Sequence, residues 1–270
     1  MASGTSGTCR VDGIDIYWER SGSGRPTVFL NGSGMALQDS ALLVQAFSGP
    51  FDLLALDHRG MGRSSVPPGP YSMADCAADV AGLLDGQGWD TCRVVGISFG
   101  GMVAQELAVT WPDRVERLAL LCTSPGGAGG ASYPLHELAD LPPEDRLRKG
   151  AELLDTRFTP EFLAEHPDQQ GLVDFLAAGQ ARERTSEQEE GARLQMEARS
   201  HHDVCDRLGA VSCPTLVASG RWDGIAPPVN GAYIAEHVPG AEQRLYDGGH
   251  AFFVQDPAAL PDIIGFLAAD

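Results

Sequence analysis

The sequence predicts an α/β fold, a mostly parallel, doubly wound sheet that carries a helical insertion. Three observations lead there. Short apolar runs alternate with helically spaced segments through the first half of the chain, the alternation stops near Gly126, and it resumes at Cys213. Short buried strands alternating with helices are the pattern of a parallel sheet covered on both faces.

Taken in order, Val11, Ile14 and Ile16-Tyr17-Trp18 alternate about Gly13 and predict a hairpin that runs into the turn Ser21-Gly22-Ser23-Gly24. Thr27-Val28-Phe29-Leu30 reads as a strand closed by Asn31-Gly32-Ser33-Gly34, and Leu37, Leu42, Leu43 and Phe47 follow at helical spacing. Leu53-Leu54-Ala55-Leu56 is a strand ending at Asp57, 74–84 a helix, Arg93-Val94-Val95-Gly96 a strand, 101–109 a helix, and Leu118-Ala119-Leu120-Leu121 a strand. A glycine-rich stretch from Gly126 to Gly130 reads as a hinge or linker. Beyond Pro142-Pro143, charged helical sequence continues to about Arg207 with no strand candidate. Residues 1–125 and 209–270 are therefore expected to form one core, interrupted by a helical insertion over 126–208.

The composition bounds what such a protein does. Of 270 residues 43% are hydrophobic and 21% charged, which suits a folded core rather than a disordered chain. With 19 Lys and Arg against 37 Asp and Glu, the formal charge of −18 repels phosphate backbones and anionic lipid, so no nucleic acid and no membrane partner is expected. The six cysteines lack both the close pairing of a zinc site and the density of a disulfide scaffold. The first residues lack a basic and apolar signal pattern, and no apolar run is long enough to span a bilayer. These features are those of a reduced, cytoplasmic protein.

Chemistry concentrates in the turns that follow strands. Gly96-Ile97-Ser98-Phe99-Gly100 lies between a strand and a helix, the context of a nucleophile elbow. Its glycines let a strained turn lift the Ser98 hydroxyl clear of the sheet. A serine hydroxyl needs a base and a group that orients the base, and both follow. Asp223, in Gly220-Arg221-Trp222-Asp223, comes after an apolar strand; His250, in Gly248-Gly249-His250, comes after the strand around Tyr246. The order Ser, Asp, His is the one used on this kind of sheet.

Rival residues fit less well. Asp57 opens the turn Asp57-His58-Arg59-Gly60-Met61-Gly62-Arg63-Ser64, and Asp247 lies too close to His250 to come from a separate strand end. His58 belongs to the same turn as Asp57, His136 and His166 fall in the insertion, and His237 sits late in a helical segment. His201-His202 lies where the insertion returns to the core and reads as solvated or structural. The oxyanion of an acyl transfer needs backbone donors, here the N–H of Phe99 and that of Ser33, whose glycine neighbours allow close approach to substrate. Met35 and Trp222 flank these loops and are the candidates for the substrate pocket.

Together these motifs resemble the α/β-hydrolase superfamily from end to end. Within it the chain is similar to the group that includes 3-oxoadipate enol-lactonases, cofactor-free haloperoxidase-like esterases and carbon–carbon bond hydrolases. The resemblance implies a helical cap over Ser98 formed by the insertion. One departure stands out: relatives usually carry His-Gly where this chain has Asn31-Gly32, which puts the side-chain ordering of that loop in question. Serine at the elbow argues against the aspartate-dependent dehalogenases and epoxide hydrolases of the same fold. The expected function is hydrolysis of a small-molecule ester or lactone through an acyl-enzyme, with carbon–carbon bond cleavage or a non-catalytic receptor as alternatives. No cofactor and no metal are expected, since neither a dinucleotide fingerprint nor metal-ligand histidine spacing is present. Substrate identity and homo-oligomer formation are left open by the sequence.

Overall fold

The apolar runs pair into one eight-stranded sheet in the computed structural model, which describes residues 4–181 and 185–270. The strands are β1 (Thr5–Val11), β2 (Ile14–Gly22), β3 (Arg25–Leu30), β4 (Phe51–Leu56), β5 (Cys92–Ile97), β6 (Val115–Leu121), β7 (Thr215–Gly220) and β8 (Glu242–Tyr246). Their order across the sheet is β1-β2-β4-β3-β5-β6-β7-β8. The β1–β2 and β2–β4 pairs are antiparallel and all the others parallel. The first hairpin turns through Asp12 and Gly13, both at positive φ, which matches the two-residue turn that suits twisted strands.

The helices are α1 (Ala41–Ser48), α2 (Met73–Gln87), α3 (Phe99–Thr110), α4 (Pro143–Leu154), α5 (Pro160–Glu165), α6 (Gln170–Ala181), α7 (Ser186–Ser200), α8 (Pro228–His237), α9 (Phe252–Gln255) and α10 (Ala259–Ala268). Each face of the sheet has its own core. Val28, Leu54 and Val94 pack with residues of α2, α3 and α8 on one side. Phe29, Ala55 and Val95 pack with residues of α1, α9 and α10 on the other. Consecutive strand residues thus feed opposite layers, as a doubly covered sheet requires.

The helical spacing between Leu37 and Phe47 resolves into a 3-10 turn, Leu37–Ser40, followed by α1. Leu37 and Phe47 face the core, whereas Leu42 projects into solvent. Four apolar residues at helical spacing overstated the buried stripe because the first turn winds more tightly than an α-helix.

Between β6 and β7 the described residues contain α4 to α7 and 3-10 turns, and no strand. The chain leaves and re-enters the core at one place: Gly126 and Asp203 form an antiparallel bridge. The glycine stretch read as a hinge is instead a packed corner. Gly126 has a φ of 75°, and a Cβ there would lie 1.7 Å from the His202 carbonyl oxygen. Cys205 Sγ donates to the Gly126 carbonyl at 3.1 Å and accepts from the Gly129 N–H at 3.2 Å. All six cysteines are free thiols. Among the described residues no helix is long and apolar enough to cross a membrane.

Candidate active site

Ser98 sits between β5 and α3 with φ 53° and ψ −110°, a strained geometry for a residue with a Cβ. The surroundings hold it there. Its N–H donates to the Leu121 carbonyl at 2.8 Å, and its carbonyl accepts from Thr123 Oγ1 at 2.7 Å and from the Met102 N–H at 3.1 Å. The flanking glycines are steric necessities: a Cβ on Gly96 would lie 2.4 Å from the Gly100 carbonyl oxygen, and one on Gly100 would lie 2.2 Å from that of Leu30. Ser98 is 7% exposed, at the N-terminus of α3, whose first amides have no acceptor within the helix.

The neighbouring loop, residues 31–35, is folded by its own side chains. Asn31 Oδ1 accepts from the Gly32 N–H at 3.1 Å and from Ser40 Oγ at 2.7 Å, while Nδ2 donates to the Ala36 carbonyl at 3.2 Å. Asparagine therefore does order this turn. The Gly34 N–H is taken by Gln195 Oε1 at 3.0 Å and the Met35 N–H by the Gly32 carbonyl at 3.4 Å. By elimination, the Ser33 N–H is the amide of Gly32 to Met35 left without an acceptor among the described residues. The Ser33 hydroxyl is also buried without a hydrogen-bond partner. The Met35 sulfur packs back toward Gly32, 3.6 Å from where its Cβ would be.

At the same carboxyl edge of the sheet, Asp223 follows β7 and His250 follows β8. Asp223 Oδ2 meets His250 Nδ1 at 2.8 Å, and Oδ1 accepts from the Ile225 and Ala226 N–H groups, each at 2.8 Å. Two backbone donors fix the carboxylate, and the carboxylate fixes the imidazole. The insertion braces this pair. Its Leu154 carbonyl accepts from the His250 N–H at 2.6 Å, and its Leu153 carbonyl from the Gly224 N–H at 3.0 Å. Asp155, fully buried beside Gly249, binds Arg157 Nη2 at 2.7 Å and Gln255 Nε2 at 2.8 Å. Among the described residues the Ser98 hydroxyl makes no hydrogen bond to His250; the structure joins His250 to Asp223, and Ser98 ends β5 at the same carboxyl edge of the parallel strands.

The rivals are accounted for. Asp57 is buried and caps its turn, accepting from the Leu37 N–H at 2.7 Å and the Arg63 N–H at 2.9 Å. Asp247 is exposed and binds Arg157 Nη1 at 3.0 Å. His136, His166, His201 and His237 are exposed. His58 and His202 are buried and pushed down to about 4, chiefly by burial, so they stay neutral. Trp222 departs from expectation. It is 42% exposed, its indole N–H donates to Asp247 Oδ1 at 3.1 Å, and the Arg157 guanidinium lies over its ring. The exposed acceptor draws the ring outward, so the Trp222 indole lies at the surface of the acid loop.

Two residues on α7 escaped the sequence reading. Gln195 is fully buried and spans from the Gly34 N–H to the Arg59 carbonyl, 3.0 and 3.3 Å away. Arg199, one turn on, is buried as well. The signal was present: Gly191, Leu194, Gln195, Ala198 and Arg199 form the buried stripe of α7 at helical spacing, and two of those five positions are polar. Among the described residues no cluster of three or more His, Cys, Asp or Glu is arranged to hold a metal ion.

The family described as the alpha/beta hydrolase fold matches residues 28–257, and the chain belongs to it. It is a hydrolase of that class. The chain is 30% identical over 235 residues to 3-oxoadipate enol-lactonase 2 of Acinetobacter baylyi, covering 86% of this chain and 84% of that protein. Among solved structures it is similar to Est816, described as an N-acyl homoserine lactone degrading enzyme, at 26% identity, TM-score 0.75, and 96% and 99% coverage. The enol-lactonase from Burkholderia xenovorans LB400 shares the fold at 24% identity, TM-score 0.78, and 97% and 100% coverage.

Proposed function

We propose that the protein cleaves a carboxylic ester or lactone through an acyl-enzyme on Ser98. The observation that carries this reading is the 2.8 Å His250–Asp223 hydrogen bond at the same carboxyl edge of the sheet as a serine held at positive φ. Ser98 Oγ attacks the carbonyl carbon while His250 Nε2 takes its proton. The oxyanion forms between the N–H groups of Ser33 and Phe99, neither of which has an acceptor among the described residues. The carbonyl re-forms as the C–O bond to the leaving group breaks, and His250 returns the proton to the departing oxygen. Water then attacks the acyl-enzyme by the same route in reverse. Asp223 stabilises the imidazolium in both halves.

The insertion, through the Leu153–Asp155 and Gln195 contacts, acts as a cap that braces the base and the oxyanion loop together. Met35 lines the acyl site beside Ser33. Lactones enter the reading through the similarity to 3-oxoadipate enol-lactonase 2 and to Est816. A panel of aryl esters and simple lactones, with a fluorophosphonate probe, tests the reading: labelling at Ser98 and turnover lost in Ser98→Ala are expected. Turnover by Ser98→Ala at the wild-type rate sinks it.

A further inference from the structure

Arg199 is a buried cation without a counter-ion. The residue is 7% exposed, yet no carboxylate lies within salt-bridge distance among the described residues. Among the described residues its Nη2 donates to the Tyr133 carbonyl at 3.1 Å, its Nη1 meets only the Met196 sulfur at 3.8 Å, and Nε has no partner. Burying a guanidinium with so little compensation is costly. Burial draws it down to about 10, with Asp223 acting in the opposite sense, so it stays charged at neutral pH. Asp223 does not neutralise it by contact, because both carboxylate oxygens are committed to His250 and to the Ile225 and Ala226 amides.

Its place in the fold gives the cation a use. Gln195 and Arg199 are four residues apart on one face of α7, roughly 6 Å along the axis. Gln195 touches Gly34, next to the Ser33 amide. At the other end, Arg199 holds Tyr133, whose N–H donates to the Ile225 carbonyl at 2.7 Å in the acid loop. The α7 face therefore stretches between the oxyanion loop, which Gln195 touches, and the acid loop, which Arg199 reaches through Tyr133.

We infer that Arg199 is a specificity residue that receives a carboxylate on the acyl part of the substrate, so that the hydrolysed ester or lactone is an anion. This rests on the acyl-enzyme reading above. A guanidinium with unused donors pairs with a carboxylate in two-pronged fashion, and burial strengthens the pairing.

The test compares p-nitrophenyl hemiglutarate with p-nitrophenyl valerate, which match in chain length and differ in the terminal carboxylate. In Arg199→Met the ratio of kcat/KM for hemiglutarate over valerate is expected to fall about 10- to 100-fold, mainly through KM, and Arg199→Lys is expected to restore part of it. A ratio within twofold of wild type in Arg199→Met overturns the inference, whatever happens to the absolute rates. If wild type hydrolyses neither ester, the acyl-enzyme reading has failed and calorimetry decides the rest. Monomethyl glutarate should then bind the Ser98→Ala protein at least tenfold more tightly than the Ser98→Ala protein that also carries Arg199→Met. Equal affinity, or no binding to either, overturns it.

Discussion

The side chain of Gln195 accepts a hydrogen bond from the Gly34 N–H at 3.0 Å, across 161 positions of sequence. This contact ties α7 to the loop that carries the Ser33 amide, so the donor's position depends on the insertion. Gln195→Leu keeps the volume and removes the side-chain amide, leaving the Gly34 N–H without its acceptor and the Arg59 carbonyl without its donor. The expected result is a kcat for aryl ester about tenfold lower and a loss of about 1–3 kcal/mol in urea unfolding. An unchanged kcat would show that the loop holds its shape alone.

Asp223 is expected to matter through the tautomer it imposes on His250. In Asp223→Asn the amide oxygen satisfies only some of the donors around it, and the NH2 group faces either His250 Nδ1 or the Ile225 and Ala226 amides. Turnover should fall on the order of 10⁴-fold at pH 7, measured with the ester that wild type hydrolyses fastest.

Acid should destabilise the fold through His202, which is buried with neither ring nitrogen hydrogen-bonded among the described residues and with Glu106 Oε1 3.9 Å from Nδ1. Its folded value of about 4 lies below the 6.5 of a free histidine. The unfolded chain therefore binds a proton between those values that the folded chain refuses. Stability from this group is complete above pH 6.5 and is lost as pH falls toward 4, by up to about 3 kcal/mol. Urea unfolding at pH 7 and pH 4.5 should show a smaller loss in His202→Asn than in wild type.

Gly126→Ala places a methyl group against the His202 carbonyl at a backbone angle that alanine resists. A cost of about 2–4 kcal/mol is expected, seen as a Tm lower by about 5–12 °C. A Tm within a degree of wild type would mean that the corner yields easily.

The sheet and the residues at its carboxyl edge were legible because they follow local rules. Strands showed as apolar runs such as Thr27–Leu30, and Ser98, Asp223 and His250 each end a strand in a small-residue turn. The α7 residues were not, because a glutamine and an arginine in a charged helix look like solvated surface until the helix is known to lie against the 31–35 loop. Trp222 was misplaced for a related reason. Its position in the acid loop is local, but its direction is set by Asp247 and Arg157, which reach it from other parts of the chain. The Gly126–Gly130 stretch showed the same limit, since composition reveals freedom of the backbone and not the Cys205 and His202 atoms that take it away.

The bridge between Gly126 and Asp203 brings the two ends of the insertion together. The segment between them enters and leaves the sheet through one stem, and loop closure varies only slowly with length. Such a stem lets the length of the segment change without altering the register of any strand. A transplanted block would have to rebuild the Leu153 and Leu154 carbonyls that hold Gly224 and His250 and the Gln195 acceptor of Gly34, so only the rest of the segment is free to vary without moving the loops it braces.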